Sequence, residues 1–510
     1  MDLTPQSLRK KNARKRVPVF GIARHRKNPF QKAIVGVVLV SFIAFSVVER
    51  IQQRRGFERQ QARAEELRGK LDTLDAQTMS IHTRLQQLRK GTVFIGQSDE
   101  ERSLERRLEE LNLEMDGRFA EFNECFAAIP FRYRSKYEIQ QRFADYTQQR
   151  IESTLARKDY DRARLCYNAS PVRELLSGIK SRVKGEGSLE IIGPESVHDV
   201  MVWPMLEDET TPRMLQGDAI WRGKPPFQIK EIDKGSYVLQ VTCGDGQLIP
   251  YPVHIGHGEQ KQVELEIPGS VPDGMVHVPG GDFLFGGEDS RFYRKRRLSL
   301  PAFFIKKHEV TVAEYLEFWK SLDDPGLRST TMSHIHFDQE DHHDAWDEQG
   351  KLADERLDLE YPVIGISHEA ADAFCEWKSR QTGATIRLPT VEEWEKAARG
   401  VDGRRYVWGN GYDPKANLAL VKGNEKGKAR FPLWAPPGKF MRDVSVYGAY
   451  DMAGNVREMT STPLPNKMGY QLKGGSAFTS ENYLPCSHSS DTPVAPSDVG
   501  FRYVREVAGK

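Results

Sequence analysis

The stretch Asp451-Met-Ala-Gly-Asn-Val-Arg-Glu458 constrains the fold more than any other in this chain. It places two hard carboxylates seven residues apart with Gly454 and Asn455 between them, and the glycine permits a tight backbone. Such a loop can aim main-chain carbonyls and both carboxylates at one point, which is how a Ca²⁺ site is built. Gly474-Gly-Ser476 and Gly500-Phe-Arg502 follow at short range. The bland alternative is that Glu458 pairs with an arginine and Asp451 caps a turn.

Upstream, the chain reads as apparatus for holding this loop away from a membrane. At 510 residues it is too long for one core. Ala33 to Val48 is an uninterrupted apolar run, preceded by ten Lys/Arg within the first 32 residues against one acid, Asp2. As a helix the run covers about 24 Å, short of a hydrocarbon core of roughly 30 Å, with Lys32 and Arg50 able to snorkel. It reads as an uncleaved transmembrane signal anchor. The basic arm 1–32 then faces the cytoplasm, and the bulk is periplasmic or otherwise extracytoplasmic. Elsewhere no basic face with interleaved aromatics occurs, so nucleic acid is not an expected partner. The five cysteines are scattered and lack metal-site spacing, which fits buried thiols.

Residues 49–185 read as a helical, coiled-coil stalk. Leu67, Leu71, Leu74, Ile81, Leu85 and Leu88 recur at three- and four-residue steps. Gly91 to Gly96 breaks the pattern, and a second helix begins near Ser98. A third helical stretch covers roughly 135–183. Two uses of the seam stay open: a partner-free helical hairpin, or self-association. Residues 186–269 change to short alternating strands, a small all-β sandwich in which Tyr237, Leu239 and Val241 share one face. The segment from Gly223 to Val241 resembles PEGA-type surface modules, and a spacer role is expected.

From about residue 270 to 510, nine short motifs occur in the order of one family. Among them are Val278-Pro-Gly-Gly-Asp-Phe283, Glu309-Val-Thr311, Ile386-Arg-Leu-Pro-Thr-Val-Glu-Glu-Trp394, Gly454-Asn-Val-Arg-Glu458, Gly474-Gly-Ser476 and Gly500-Phe-Arg502. This segment resembles the formylglycine-generating enzyme, or sulfatase-modifying factor, family. The resemblance implies an irregular α+β fold related to C-type lectins. Locally, Thr390 with Glu393 three residues on forms a capping box that starts a helix.

The resemblance also implies site residues. A structural calcium would sit on Asp451, the Gly454 and Val456 carbonyls, and Glu458. A second calcium would use Asn417 and the Leu418 carbonyl, but its downstream acid is not recognisable. The family's two copper cysteines fall on Thr479 and Leu484, which supply no thiolate for soft Cu(I), so copper is not expected. The tryptophan that precedes the metal-loop glutamate is Arg457. Ser476 survives. Related members bind iron through histidines, and His334, His336, His342 and His343 form a cluster that either binds metal or is a solvated loop. The run Arg291 to Arg297 reads either as a docking patch for an acidic partner or as a solvated strand edge. The reading is a membrane-anchored, catalytically degenerate binding or assembly module with calcium as a staple. The alternative is an enzyme of the same fold, its cleft built around Arg457, Ser476 and the histidines.

Overall fold

The computed structural model describes residues 29–90, 99–134, 136–207, 214–244, 246–336, 342–422, 434–491 and 498–507. Most of the basic arm and the expected break at 91–96 lie outside these residues. The proline-free N-terminal stretch becomes one helix, α1 (Pro29–Lys90), followed by α2 (Asp99–Ala128), α3 (Phe131–Arg134), α4 (Tyr137–Ala156), α5 (Tyr160–Ala169) and α6 (Lys180–Lys184).

The anchor expectation finds no support in the helix itself. The apolar run runs without a break into the charged part of α1, and among the described residues no helix is long and apolar enough to cross a membrane. Its side chains from Val37 to Val48 are nonetheless largely exposed.

The leucine seam is filled from within the chain. Leu67, Leu71 and Leu74 bury against Leu111, Met115, Phe119 and Phe122 of α2 and against Phe143 and Tyr146 of α4. This is the hairpin use of the seam, thickened into a helical domain with an aromatic core. Phe122 meets Phe143 at 4.8 Å between centroids and Tyr146 at 4.9 Å. A polar clasp sets the register of α1 on α4. Asp75 accepts from Arg157 at 2.5 Å and from Ser153 Oγ at 2.5 Å, with Arg150 at 3.9 Å.

The β module is a two-sheet sandwich. Its strands are β1 (Gly187–Ile192), β2 (Val197–Glu207), β3 (Met214–Gln216), β4 (Trp221–Gly223), β5 (Phe227–Ile232), β6 (Gly235–Cys243), β7 (Leu248–Ile255) and β8 (Gln260–Glu264). One sheet runs β5-β1-β8; the other runs β3-β2-β6-β7, with β4 also on β2. Tyr237, Leu239, Val241 and Cys243 alternate into the shared core, as the period of two requires.

The C-terminal domain has few regular elements. In order they are β9 (Met275–Val278), β10 (Gly281–Phe285), β11 (Arg296–Leu300), β12 (Phe303–Lys306), α7 (Val312–Lys320), α8 (Pro325–Thr330), β13 (His334–His336), β14 (His342–Asp344), α9 (His368–Thr382), β15 (Ile386–Arg387), α10 (Val391–Arg399), β16 (Arg457–Pro463), β17 (Tyr470–Lys473), β18 (Ser490–Asp491), β19 (Val499–Gly500) and β20 (Val504–Glu506). Two four-stranded sheets, β15-β20-β12-β9 and β18-β17-β16-β19, carry it. Thr390 and Glu393 form the expected capping box of α10, and Thr311 with Glu314 forms another on α7.

Polar seams join the three parts. Arg294 forks onto the buried Glu101 of α2 at 2.7 and 3.1 Å. Tyr160 stacks on His257 at 3.8 Å. Ser236 donates to Asp402 at 2.7 Å. The basic run 291–297 is thus partly consumed by such pairing: Arg297 reaches Glu259 and Arg291 reaches Asp491.

Asp75 neutralises two buried arginines, so Asp75→Ala leaves them uncompensated. It should cost roughly 2–4 kcal/mol, below the full buried-pair penalty because Asp75 keeps contact with water. Chemical denaturation of the full chain measures this; a loss under about 0.5 kcal/mol would remove the clasp.

Candidate functional site

The loop that opens β16 is built on two left-handed residues, Asp451 (φ 54°) and Asn455 (φ 71°). Asn and Asp tolerate this conformation better than other non-glycine residues. Gly454 between them is required by a close approach: a Cβ there would lie 2.7 Å from the Leu420 carbonyl oxygen. Asn455 accepts from the Ala435 amide at 3.0 Å and donates to Glu309 at 3.1 Å. Asp443 accepts from the Ala453 and Gly454 amides. Asp451 accepts from the Gly438 amide.

Glu458 takes the ion-pair alternative. Arg502 donates to both of its oxygens at 2.6 Å, and Trp394 Nε1 donates at 2.9 Å. The same guanidinium reaches the carbonyls of Lys306, Lys307 and Tyr450 at 3.2, 3.3 and 2.8 Å. Charged groups so deeply buried need paired charge and full hydrogen bonding, which this geometry supplies.

Three further acids crowd the same place. Burial, reinforced by the charge on Asp451, holds Glu309 and Asp443 well above the usual carboxylate range. Burial pushes Asp451 up to about 6. Glu309 Oε2 has no hydrogen-bond partner. The calcium ligand set fits in part. Asp451, Gly454 and Val456 share the loop, whereas Glu458 is saturated by Arg502 and Trp394. Among the described residues no three His, Cys, Asp or Glu side chains are grouped to hold a metal ion. Asn417 is left-handed after a short turn and Leu418 is buried in the core.

Ser476 is buried and its hydroxyl is committed. Its Oγ donates to Asp498 at 2.6 Å, and Arg457 forks onto the same carboxylate at 2.9 and 2.7 Å. Thr479 turns back on the serine, its Oγ1 accepting from the Ser476 amide at 2.7 Å. Leu484 and Cys486 are core residues. Burial pushes the Cys486 thiol up to about 12, so it offers no thiolate. Asp498 escaped the sequence reading, although its place immediately before Val499-Gly-Phe-Arg502 was the available signal.

The histidines do not converge among the described side chains. The β13–β14 register pairs His334 with Asp344 and Ile335 with His343, which puts His334 and His343 on opposite faces. His334 bonds Asp344 at 2.8 Å and His343 faces Asp354 at 3.6 Å. The side chains of His336 and His342 lie outside the described residues.

Residues 263–507 match the sulfatase-modifying factor enzyme 1-like domain. The mouse protein named inactive C-alpha-formylglycine-generating enzyme 2 is 32% identical over 266 residues, covering 45% of this chain and 84% of that one. The chain belongs to the formylglycine-generating enzyme family. Within the family, the formylglycine-generating enzyme of Mycobacterium tuberculosis is 26% identical over 307 residues, 46% of this chain and 97% of its own. Hercynine oxygenase of Mycolicibacterium smegmatis is 33% identical over 220 residues, 37% of this chain but only 45% of its own length.

One titratable contact ties the end of the family loop to α9. His368 stacks on Tyr470 at 3.4 Å, meets Asp372 at 3.1 Å and meets the Thr460 carbonyl at 3.0 Å. Burial lowers its pKa, but the bonds to Asp372 and Thr460 outweigh that and the net shift is upward. A raised folded pKa means the contribution is fully present below the unfolded value of about 6.5 and is lost as pH climbs past the folded one. His368→Gln should therefore lower the melting temperature more at pH 5.5 than at pH 8.5. Equal losses at both would show that the imidazole carries no charge-dependent stability.

Proposed function

We propose that this protein is a membrane-anchored, extracytoplasmic binding or assembly module whose family domain has given up copper oxidation. The observation that carries the reading is the closed Ser476–Asp498–Arg457 network, with Thr479 and Leu484 at the positions that the resemblance gives to the copper cysteines. Soft Cu(I) requires thiolate ligands. The mouse relative is named as an inactive protein, which supports the same direction. The exposed apolar surface from Val37 to Val48, with the basic arm before it, supports an anchor inserted with its N-terminus in the cytoplasm.

Copper loading of the full chain under reducing conditions tests this reading. Expected are no tightly held copper and no oxygen uptake above free copper when a thiol and a cysteine peptide are supplied. Retention of about one copper per chain with sustained oxygen uptake would overturn it.

A second reading, an enzyme of the same fold performing a different modification reaction, rests on the identity to hercynine oxygenase. Fe(II)-dependent oxygen uptake with a thiol substrate would favour it.

The calcium role is retained as a structural staple on Asp451 with the Gly454 and Val456 carbonyls. The surplus of buried acid around one guanidinium supports it, because Glu309, Asp443 and Asp451 remain after Glu458 is paired. EGTA should lower the melting temperature by several degrees, and added Ca²⁺ should restore it. An unchanged melting curve removes calcium from the account.

A further inference from the structure

A recess between the β module and the C-terminal domain shares no lining residue with the Ser476 network. It encloses about 280 Å³, at the small end of the roughly 300–1,000 Å³ typical of ligand pockets, and domain junctions are a usual place for them. One wall is β7 and β8, with Tyr251, His254 and Lys261. The other is the turn Pro279 to Leu284, with Arg297 and Tyr447.

Two wall residues carry buried polar atoms without a partner, Tyr447 Oη and His254 Nδ1. Tyr447 is almost wholly buried, so its hydroxyl is desolvated with nothing in return, a state that folded proteins keep rare. Burial holds the His254 imidazole below its ordinary pKa, so Nδ1 is available to donate or accept as the tautomer allows. Of the charged lining residues, Lys261 and Arg297 balance Glu264 and Asp282. Lys261 and Arg297 both reach Glu259, at 3.5 and 3.4 Å, and Arg297 reaches Asp282 at 3.6 Å. Neither an anion nor a cation is favoured by such a balance. Pro252, Phe283 and Leu284 add apolar wall.

We propose that this junction cleft binds a neutral, hydroxyl-rich small molecule the size of one or two sugar rings. Hydroxyls both donate and accept, which matches a rim holding donors and acceptors together. The flat face of a ring suits the apolar wall. Because the walls belong to two domains, an occupant holds them together.

Calorimetric titration of the full chain tests this with glucose, N-acetylglucosamine, cellobiose and chitobiose, and with glycine betaine and inorganic phosphate as charged comparisons. At least one sugar is expected to bind with a Kd below about 1 mM. Tyr447→Phe and Asp282→Ala should each weaken it at least tenfold with an unchanged circular dichroism spectrum. Asp282 lies on the exposed rim, so its variant carries the comparison if Tyr447→Phe fails to fold. Binding by none of the sugars, binding by betaine or phosphate alone, or sugar binding unmoved by the substitutions would overturn the proposal. The result does not depend on copper chemistry, so it stands or falls apart from the functional reading above.

Discussion

The C-terminal domain depends on one buried guanidinium. Arg502 collects both oxygens of Glu458 and three main-chain carbonyls, from Lys306, Lys307 and Tyr450. It thereby ties the end of β12, the entry to the family loop and the start of β16 to a single planar group. Burying such a pair gains little net energy over apolar packing. Its value here is geometric, because five donors in a fixed fork accept only one arrangement of partners. A second buried set repeats the device. Glu395 on α10 binds Arg399 at 2.6 Å, Lys473 of β17 at 3.0 Å and the Gly286 amide at 2.7 Å. In a domain with short strands and long irregular connections, these networks do the work that backbone ladders do elsewhere.

The same economy supports the proposed loss of copper chemistry. A reactive centre leaves polar groups pre-organised but unsatisfied until substrate arrives. Around Ser476 nothing is left over: the serine is held by Asp498, Asp498 by Arg457, and Thr479 closes on the serine's own backbone. Arg457 stands where the family tryptophan would be, and its charge is spent on Asp498. Among the buried groups left unsatisfied are Glu309 and, in a different place, Tyr447 and His254. Those are where occupants are to be sought.

Much of this was legible locally. The capping box at Thr390 and Glu393, the alternation of Tyr237, Leu239 and Val241, and the tight turn at Gly454 follow from short-range rules, and all three stand in the structure. Family order placed the loop. What the sequence hid were partners set by tertiary structure. Asp498 meets Arg457 across 41 residues, Arg502 meets Glu458 across 44, and Glu101 meets Arg294 across 193. No periodicity links such pairs. The leucine seam was likewise correct as a pattern and open as to its partner, which proves to be the chain's own α2. The apolar run at 33–48 signalled a membrane by composition, whereas among the described residues no helix is long and apolar enough to cross one.

The central claim is that Glu458 is held by Arg502 and not by a metal ion. A double-mutant cycle with Glu458→Gln and Arg502→Met, measured by chemical denaturation in EGTA and again in excess Ca²⁺, tests it most directly. Each single variant should be strongly destabilised and the double variant little worse than either, giving a coupling on the order of 3 kcal/mol that Ca²⁺ does not change. Additive losses, or an effect of Glu458→Gln that appears only when Ca²⁺ is present, would contradict the account.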